Sequence, residues 1–140
     1  MARVKINLPD NFLFSTSIDI RIGDVNYGGH VGNDAILALA HEARVRFFQS
    51  MGYSELDLGG VGVIMADSAI VYKGESFYGD TININVGIQD ISRLGFDIVY
   101  EMKEAKGKDI ALVKTGMVCF NYEQRKVTAL PEEVKNKLNG

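Results

Sequence analysis

Asp24, Asn26 and His30 lie within seven residues of one another, in the stretch Gly23-Asp24-Val25-Asn26-Tyr27-Gly28-Gly29-His30-Val31-Gly32. A carboxylate there can act as general base or nucleophile, and a histidine or an amide can orient water or substrate. Adjacent glycines let the backbone turn sharply or come close to a ligand. The residues after Gly32 have helical composition, so the group stands where a strand feeds a helix N-terminus. Unpaired N–H groups of a first helical turn point outward and favour developing negative charge. A carbonyl set against them is polarised as in an oxyanion hole. The competing reading is structural, because Asp and Asn in a glycine-rich turn often serve backbone hydrogen bonds alone.

Other carboxylates are weaker candidates. Asp67, with Ser68, interrupts an apolar run, and an interior carboxylate is costly unless paired. Its simpler reading is a place at a sheet edge or beside a basic neighbour. Glu42, next to His41, either reaches the loop from the inward helix face or pairs with Arg46 at i,i+4 spacing. Arg93 and lysines 103, 106, 108 and 114 offer cations to phosphates, or simply a solvated face. Gly59-Gly60-Val61-Gly62 lacks the lysine of a phosphate loop, and neither H-E-x-x-H nor G-x-S-x-G is present. Two histidines and one cysteine cannot build a His₃ or cysteine-based zinc centre, so no metal is expected.

The elements that must position these residues follow from periodicity. Residues 12–22 alternate, with Phe12, Phe14, Ile18, Ile20 and Ile22 on one face, which predicts a half-buried strand. Residues 35–50 predict a helix capped by Asn33 or Asp34 and ended by Gly52, apolar all round in its first half. At 1.5 Å per residue it is about 24–27 Å long. Residues 61–73 form a nearly continuous apolar run, as a central strand does. Residues 81–91, 96–103 and 110–121 predict three more strands, with a hairpin turn over 104–109. Pro131 with Glu132 and Glu133 marks a short terminal helix. One long helix against an antiparallel sheet is an α+β fold. Such a sheet leaves an edge or a face uncovered, which predicts a homodimer.

Length and composition bound the rest. The 140 residues fit one domain spanning 1–140. A formal charge of −3 argues against a nucleic-acid partner. No apolar run approaches the roughly 18 residues of a membrane span. The N-terminal MARVKINLPDN lacks the apolar segment of a secretion signal. The lone Cys119 fits a reducing compartment, so the expected location is the cytoplasm.

The stretch from Asp24 to Asn33, with His41-Glu42-Ala43-Arg44 on the helix, resembles the acyl-CoA thioesterases of the hot-dog fold. The branch it is most similar to is the 4-hydroxybenzoyl-CoA and long-chain acyl-CoA group, with its D-x-D…H-V-N-N and E-x-A-R patterns. Tyr72 and Phe77-Tyr78-Gly79-Asp80 resemble that family's later Y…G-D segment. The resemblance implies one long central helix wrapped by a five- to six-stranded antiparallel sheet. It also implies a homodimer or dimer of dimers with sites at the subunit interface. Acyl-CoA would be the substrate, with coenzyme A entering only as part of it and no further cofactor. The Asn33 backbone N–H would polarise the thioester carbonyl. The chain departs from the pattern at Asn26, which replaces the usual catalytic acid, and at Gly32, which replaces the first Asn of N-N. An amide orients water but is no base. The carboxylate then falls to Asp24, or to Glu42 or Asp67 as auxiliaries, while Asn26 and His30 position water and substrate and Arg93 meets CoA phosphate. Two alternatives stand beside hydrolysis. Gly23-Asp24-Val25-Asn26 begins like the G-D-x-N-P-x-H motif of hot-dog hydratases and dehydratases acting on enoyl-CoA. Asn26 in the acid position also suits a non-catalytic acyl-CoA-binding module.

Overall fold

The first strand, β1 (Phe14–Asp19), is shorter than the alternation of residues 12–22 predicts. Ile18 and Ile20 are buried, but the chain then leaves the sheet and Ile22–Asp24 wind one turn of 3-10 helix. Ile22 is 72% exposed as a result. The cause is local: the Asp24 carboxylate accepts the Arg21 N–H at 2.9 Å, and such a bond competes with the sheet ladder. The computed structural model describes residues 3–140. Met1 and Ala2, the start of the stretch read above for a secretion signal, lie outside the described residues.

Helix α1 (Asn33–Ser50) begins earlier than predicted. Its N-cap is neither Asn33 nor Asp34 but Gly32, at φ −71° and ψ 156°, with no side chain capping the turn. Ala35, Ile36, Leu39, Ala40, Ala43, Phe47 and Phe48 face inward at the spacing of one helical stripe. Ala38 is exposed and Leu37 half-buried, so the first half is covered on one side rather than all round. Gly52, at φ +83°, takes the left-handed conformation that ends the helix.

Strands β2 (Gly62–Tyr72), β3 (Thr81–Gln89), β4 (Gly95–Glu104), β5 (Asp109–Asn121) and β6 (Lys126–Val127) complete a six-stranded sheet in the order β1-β3-β4-β5-β2, with β6 on β5. Every pairing is antiparallel. A short α2 (Glu132–Leu138) follows Pro131 and buries Val134 and Leu138. The α+β expectation is met, but β2 is an edge strand, not a central one. Its apolar run reflects two faces that are both poor in charge. Which strand sits beside it is a separate matter that composition does not encode. Residues 65–69 are exposed or half-exposed and Met65 is 42% exposed. A register shift between Met65 and Asp67 kinks the strand. The most buried strand is β4.

One charge lies inside the core. Arg44 is 5% exposed, donating to Glu55 at 2.9 Å and to the Tyr100 hydroxyl at 3.2 Å. Tyr100 in turn meets Thr115 at 2.8 Å, and His41 reaches Glu55 at 3.2 Å. The network ties the middle of α1 to the 53–61 segment and to β4 and β5. It thereby fixes where the start of the helix lies over the sheet.

Candidate active site

The loop before α1 is built around Asn26. Its N–H donates to the His30 carbonyl at 2.9 Å and its own carbonyl accepts Gly29 N–H at 3.1 Å. Its side-chain oxygen accepts Gly28 N–H at 2.8 Å. Val25 and Val31 bridge across the base, and Gly29 at φ +87° supplies a left-handed turn that few other residues adopt. The loop is pinned by Val31 N–H to Ser76 carbonyl at 2.8 Å and by Gly32 N–H to Asp24 carbonyl at 3.1 Å. Asp80 closes the 76–80 turn, accepting Phe77 N–H at 2.9 Å and facing the Ser76 hydroxyl at 3.3 Å. The Gly79-Asp80 pair therefore holds the strap against which the loop rests.

His30 donates from Nδ1 to its neighbour's carbonyl, Val31 O, at 3.0 Å. A carbonyl can only accept, so in the neutral ring Nε2 is left as acceptor. A methyl group built on Gly28 would stand 3.2 Å from Asn26 Oδ1 and 3.7 Å from His30 Nε2. One built on Gly32 would stand 2.7 Å from Asp34 Oδ1 and 3.8 Å from Asn26 Nδ2. The two glycines thus leave room for a row of polar side chains, His30, Asn26 and Asp34, around the start of α1. Gly32 is glycine for space, not for conformation, since its φ suits any residue.

Because Gly32 is the N-cap, Asn33 and Asp34 open the helix, and the Asn33 N–H has no hydrogen-bond partner among the described residues. Asn33 and His30 line one cavity of about 220 Å³, with Ile36, Tyr72, Ser76 and Ile110. The Tyr72 hydroxyl lies 3.3 Å from the Asn33 carbonyl. This cavity joins His30, Asn33 and the loop held by Asn26.

The remaining candidates lie elsewhere in the fold. Asp24 has its side chain 11% exposed. It spends Oδ2 on the Arg21 N–H and lies 3.7 Å from Arg21 Nε. Together with Glu42 it lines a separate groove of about 380 Å³ between β1 and α1, beside Leu39 and Arg46. Glu42 pairs with Arg46 at 2.9 Å and points outward. Asp67 accepts from Lys114 at 2.9 Å and from Gly116 N–H at 3.1 Å, and the Lys114 hydrogen bond holds its carboxyl below the usual range. Arg93 is exposed in the β3–β4 turn. By strand register that turn lies at the end of the sheet opposite Tyr72 and Ile110. Asp34 reads in the sequence only as a cap. The signal for more is the glycine two residues before it, which a helix start does not require. Among the described residues no group of three or more His, Cys, Asp or Glu is placed to hold a metal ion. No helix among them is long and apolar enough to cross a membrane.

The family model of the thioesterase-like superfamily matches residues 20–138. A protein of Aquifex aeolicus described as a candidate esterase is 28% identical over 95 residues, 66% of this chain and 72% of that one. The solved 1,4-dihydroxy-2-naphthoyl-CoA thioesterase of Synechocystis superposes with a TM-score of 0.82 at 22% identity, over 90% of this chain and 95% of that chain. A Staphylococcus aureus protein solved in complex with CoA superposes with a TM-score of 0.81 at 16% identity, over 96% and 86%.

Proposed function

Because the chain belongs to the thioesterase-like superfamily, we infer that it hydrolyses an acyl-CoA thioester to a carboxylic acid and free thiol. The observation that carries this is the unpaired N–H of Asn33 at the head of α1, on a residue that lines a cavity together with His30. A thioester carbonyl oxygen seated on that N–H gains most when it becomes an oxyanion, which is the differential binding that lowers a barrier. Asn26 and His30 hold water and substrate against it, while a carboxylate removes the water proton. Asp24, Glu42 and Asp67 are the carboxylates singled out in the sequence, and of these Asp24 is the residue tied to the start of the helix, through its carbonyl and the Gly32 N–H. Within the superfamily, the motif spacing favours the 4-hydroxybenzoyl-CoA and long-chain branch. Coenzyme A enters as part of the substrate, with no metal or other cofactor, and Arg93 is proposed to meet its phosphates from a second subunit.

The working unit we propose is a homodimer, or a pair of them. A cavity of about 220 Å³ is below the roughly 300–1,000 Å³ that enclose a drug-sized ligand. It takes the thioester end and little else. The free edge of β2, with exposed Met65, lies beside Asp34, Leu37, Ala38 and His41 of α1. A second copy there would pair the edge and add walls to the site. A buried free thiol at Cys119 suits a reducing cytoplasm.

The test is product analysis. Incubation with acyl-CoAs from short aliphatic to aromatic, followed by chromatography, is expected to give free CoA and acid in equal amounts. A hydrated 2-enoyl-CoA with its thioester intact would replace this reading with hydratase chemistry. Acyl-CoA bound tightly and recovered whole would replace it with a binding module.

A further inference from the structure

Hydrolysis needs a carboxylate whose oxygens are free and which faces the attacking water. Most carboxylates around α1 and its preceding loop are committed elsewhere. Asp24 closes the 3-10 turn through the Arg21 N–H, Glu42 is held by Arg46, and Glu55 is held by Arg44 and His41. Asp80 is spent on the 76–80 turn. Asp34 and Glu75 both lack a side-chain hydrogen-bond or salt-bridge partner among the described residues. Glu75 borders the cavity with His30 and Asn33, and Asp34 borders a separate pocket with Leu37, Ala38 and His41. Asp34 Oδ1 lies 2.7 Å, and Asn26 Nδ2 3.8 Å, from the point where a side chain at Gly32 would begin. A larger residue there would meet both the carboxylate and the amide that stands where the family pattern has its acid. Both lie close to the peptide that carries the Asn33 N–H.

We propose that Asp34 is the catalytic carboxylate, and that the acid missing at position 26 is supplied eight residues later, from the first turn of the helix. This rests on the thioester-hydrolase reading. A water over Gly32 accepts a hydrogen bond from Asn26 Nδ2 and donates one to Asp34. Asp34 takes a proton from this water as the water oxygen bonds to the carbonyl carbon. The carbonyl π pair moves onto its oxygen, which the Asn33 N–H receives. When the intermediate collapses, the C=O bond re-forms and the C–S bond breaks. The thiolate takes the proton back from Asp34 and leaves as free thiol beside the carboxylic acid. The carboxylate is regenerated and no co-reactant beyond water is consumed. The amide at position 26 then holds the water that a carboxylate there would have held itself.

The experiment compares wild type with Asp34→Asn, Asp34→Ala and Glu75→Gln in a thiol-release assay, using the acyl-CoA that wild type turns over fastest. Glu75 is included because it borders the same cavity as His30. Removal of a general base costs about 10²–10⁴-fold, so kcat of both Asp34 variants is expected to fall at least 100-fold while KM changes little. Added formate is expected to restore part of the Asp34→Ala rate, which a purely structural role would not allow. Far-ultraviolet spectra and melting curves like those of wild type show that the fold survives. Asp34→Asn turnover within threefold of wild type, or loss confined to Glu75→Gln, overturns the assignment and leaves hydrolysis standing. Absence of turnover in wild type overturns the assignment together with the reading beneath it.

Discussion

Gly32→Ala separates packing around the site from stability of the fold. The backbone at Gly32 (φ −71°, ψ 156°) lies in a region open to alanine, so the change brings no conformational strain. The added methyl would stand 2.7 Å from Asp34 Oδ1 but 3.6 Å from Asn26 Cβ, and ordinary contact begins near 3.4 Å. Only the carboxylate must move, by about 0.7 Å or more, and a misplacement of about 1 Å can cost about 100-fold in rate. Losing glycine as N-cap costs about 1 kcal/mol or less, about 3–5 °C in Tm for a domain of this size. The expected outcome is a 10- to 100-fold lower kcat, as an order of magnitude, in a protein that melts only slightly earlier. The assay is thiol release paired with a thermal melt. Wild-type turnover in Gly32→Ala would refute the reasoning, because the carboxylate would then be displaced without consequence. A loss of fold would refute the claim that glycine is needed there only for the space it leaves.

Three further predictions follow from the fold. Arg44→Met removes the one cation of a buried network and leaves Glu55 and Tyr100 facing each other. Breaking a buried pair costs about 3–5 kcal/mol, and with Glu55 28% exposed the lower end, about 3 kcal/mol, is expected as a shifted urea midpoint at unchanged slope. Burial, aided by the Asp90 and Asp67 carboxylates and opposed by Lys114, pushes the Asp97 carboxyl above its ordinary value. The folded state therefore binds that proton more tightly than the unfolded state, and ionised Asp97 destabilises the fold. Asp97→Asn should raise Tm at neutral pH, with the gain shrinking as pH falls through the folded-state value and gone below about 3.9. An equal gain at all pH values would contradict this. Burial pushes the Cys119 thiol up to about 11. Native protein should therefore give no reaction with a thiol reagent at neutral pH and one equivalent once unfolded, which also clears the background of the thiol-release assay.

Much of this is legible in the residues, for identifiable reasons. Alternation along 81–91 and 96–103 reports burial directly, and the helical composition of 35–50 marks the helix, though not which side of its first half is covered. They locate β3, β4 and α1 to within a few residues. Strand order is a different kind of information. The apolar run of β2 reads as a centre, yet the strand sits at an edge, because composition records what covers a strand's faces and not what pairs with its sides. The end of β1 falls short of the pattern running to Ile22 because one side-chain bond, from Asp24 to Arg21, outweighs it. In the site, spacing brings His30, Asn26 and the Asn33 N–H together. Asp24, adjacent in sequence, turns away to serve the backbone. Asp34 is hidden in the sequence because an aspartate at a helix start has a sufficient structural explanation. Only the close approach of its Oδ1 to the side-chain position of Gly32 sets it apart.

The central claim is that the thioester carbonyl sits on the Asn33 N–H. It is tested most directly by following the backbone amide resonances of isotope-labelled protein during titration with a ketone analogue of acyl-CoA, in which a methylene replaces the sulfur. The account predicts that the Asn33 amide proton moves downfield more than any other, with Gly32 and Asp34 beside it and His30 perturbed. Saturable binding that leaves the Asn33, Gly32 and Asp34 amides in place would contradict it.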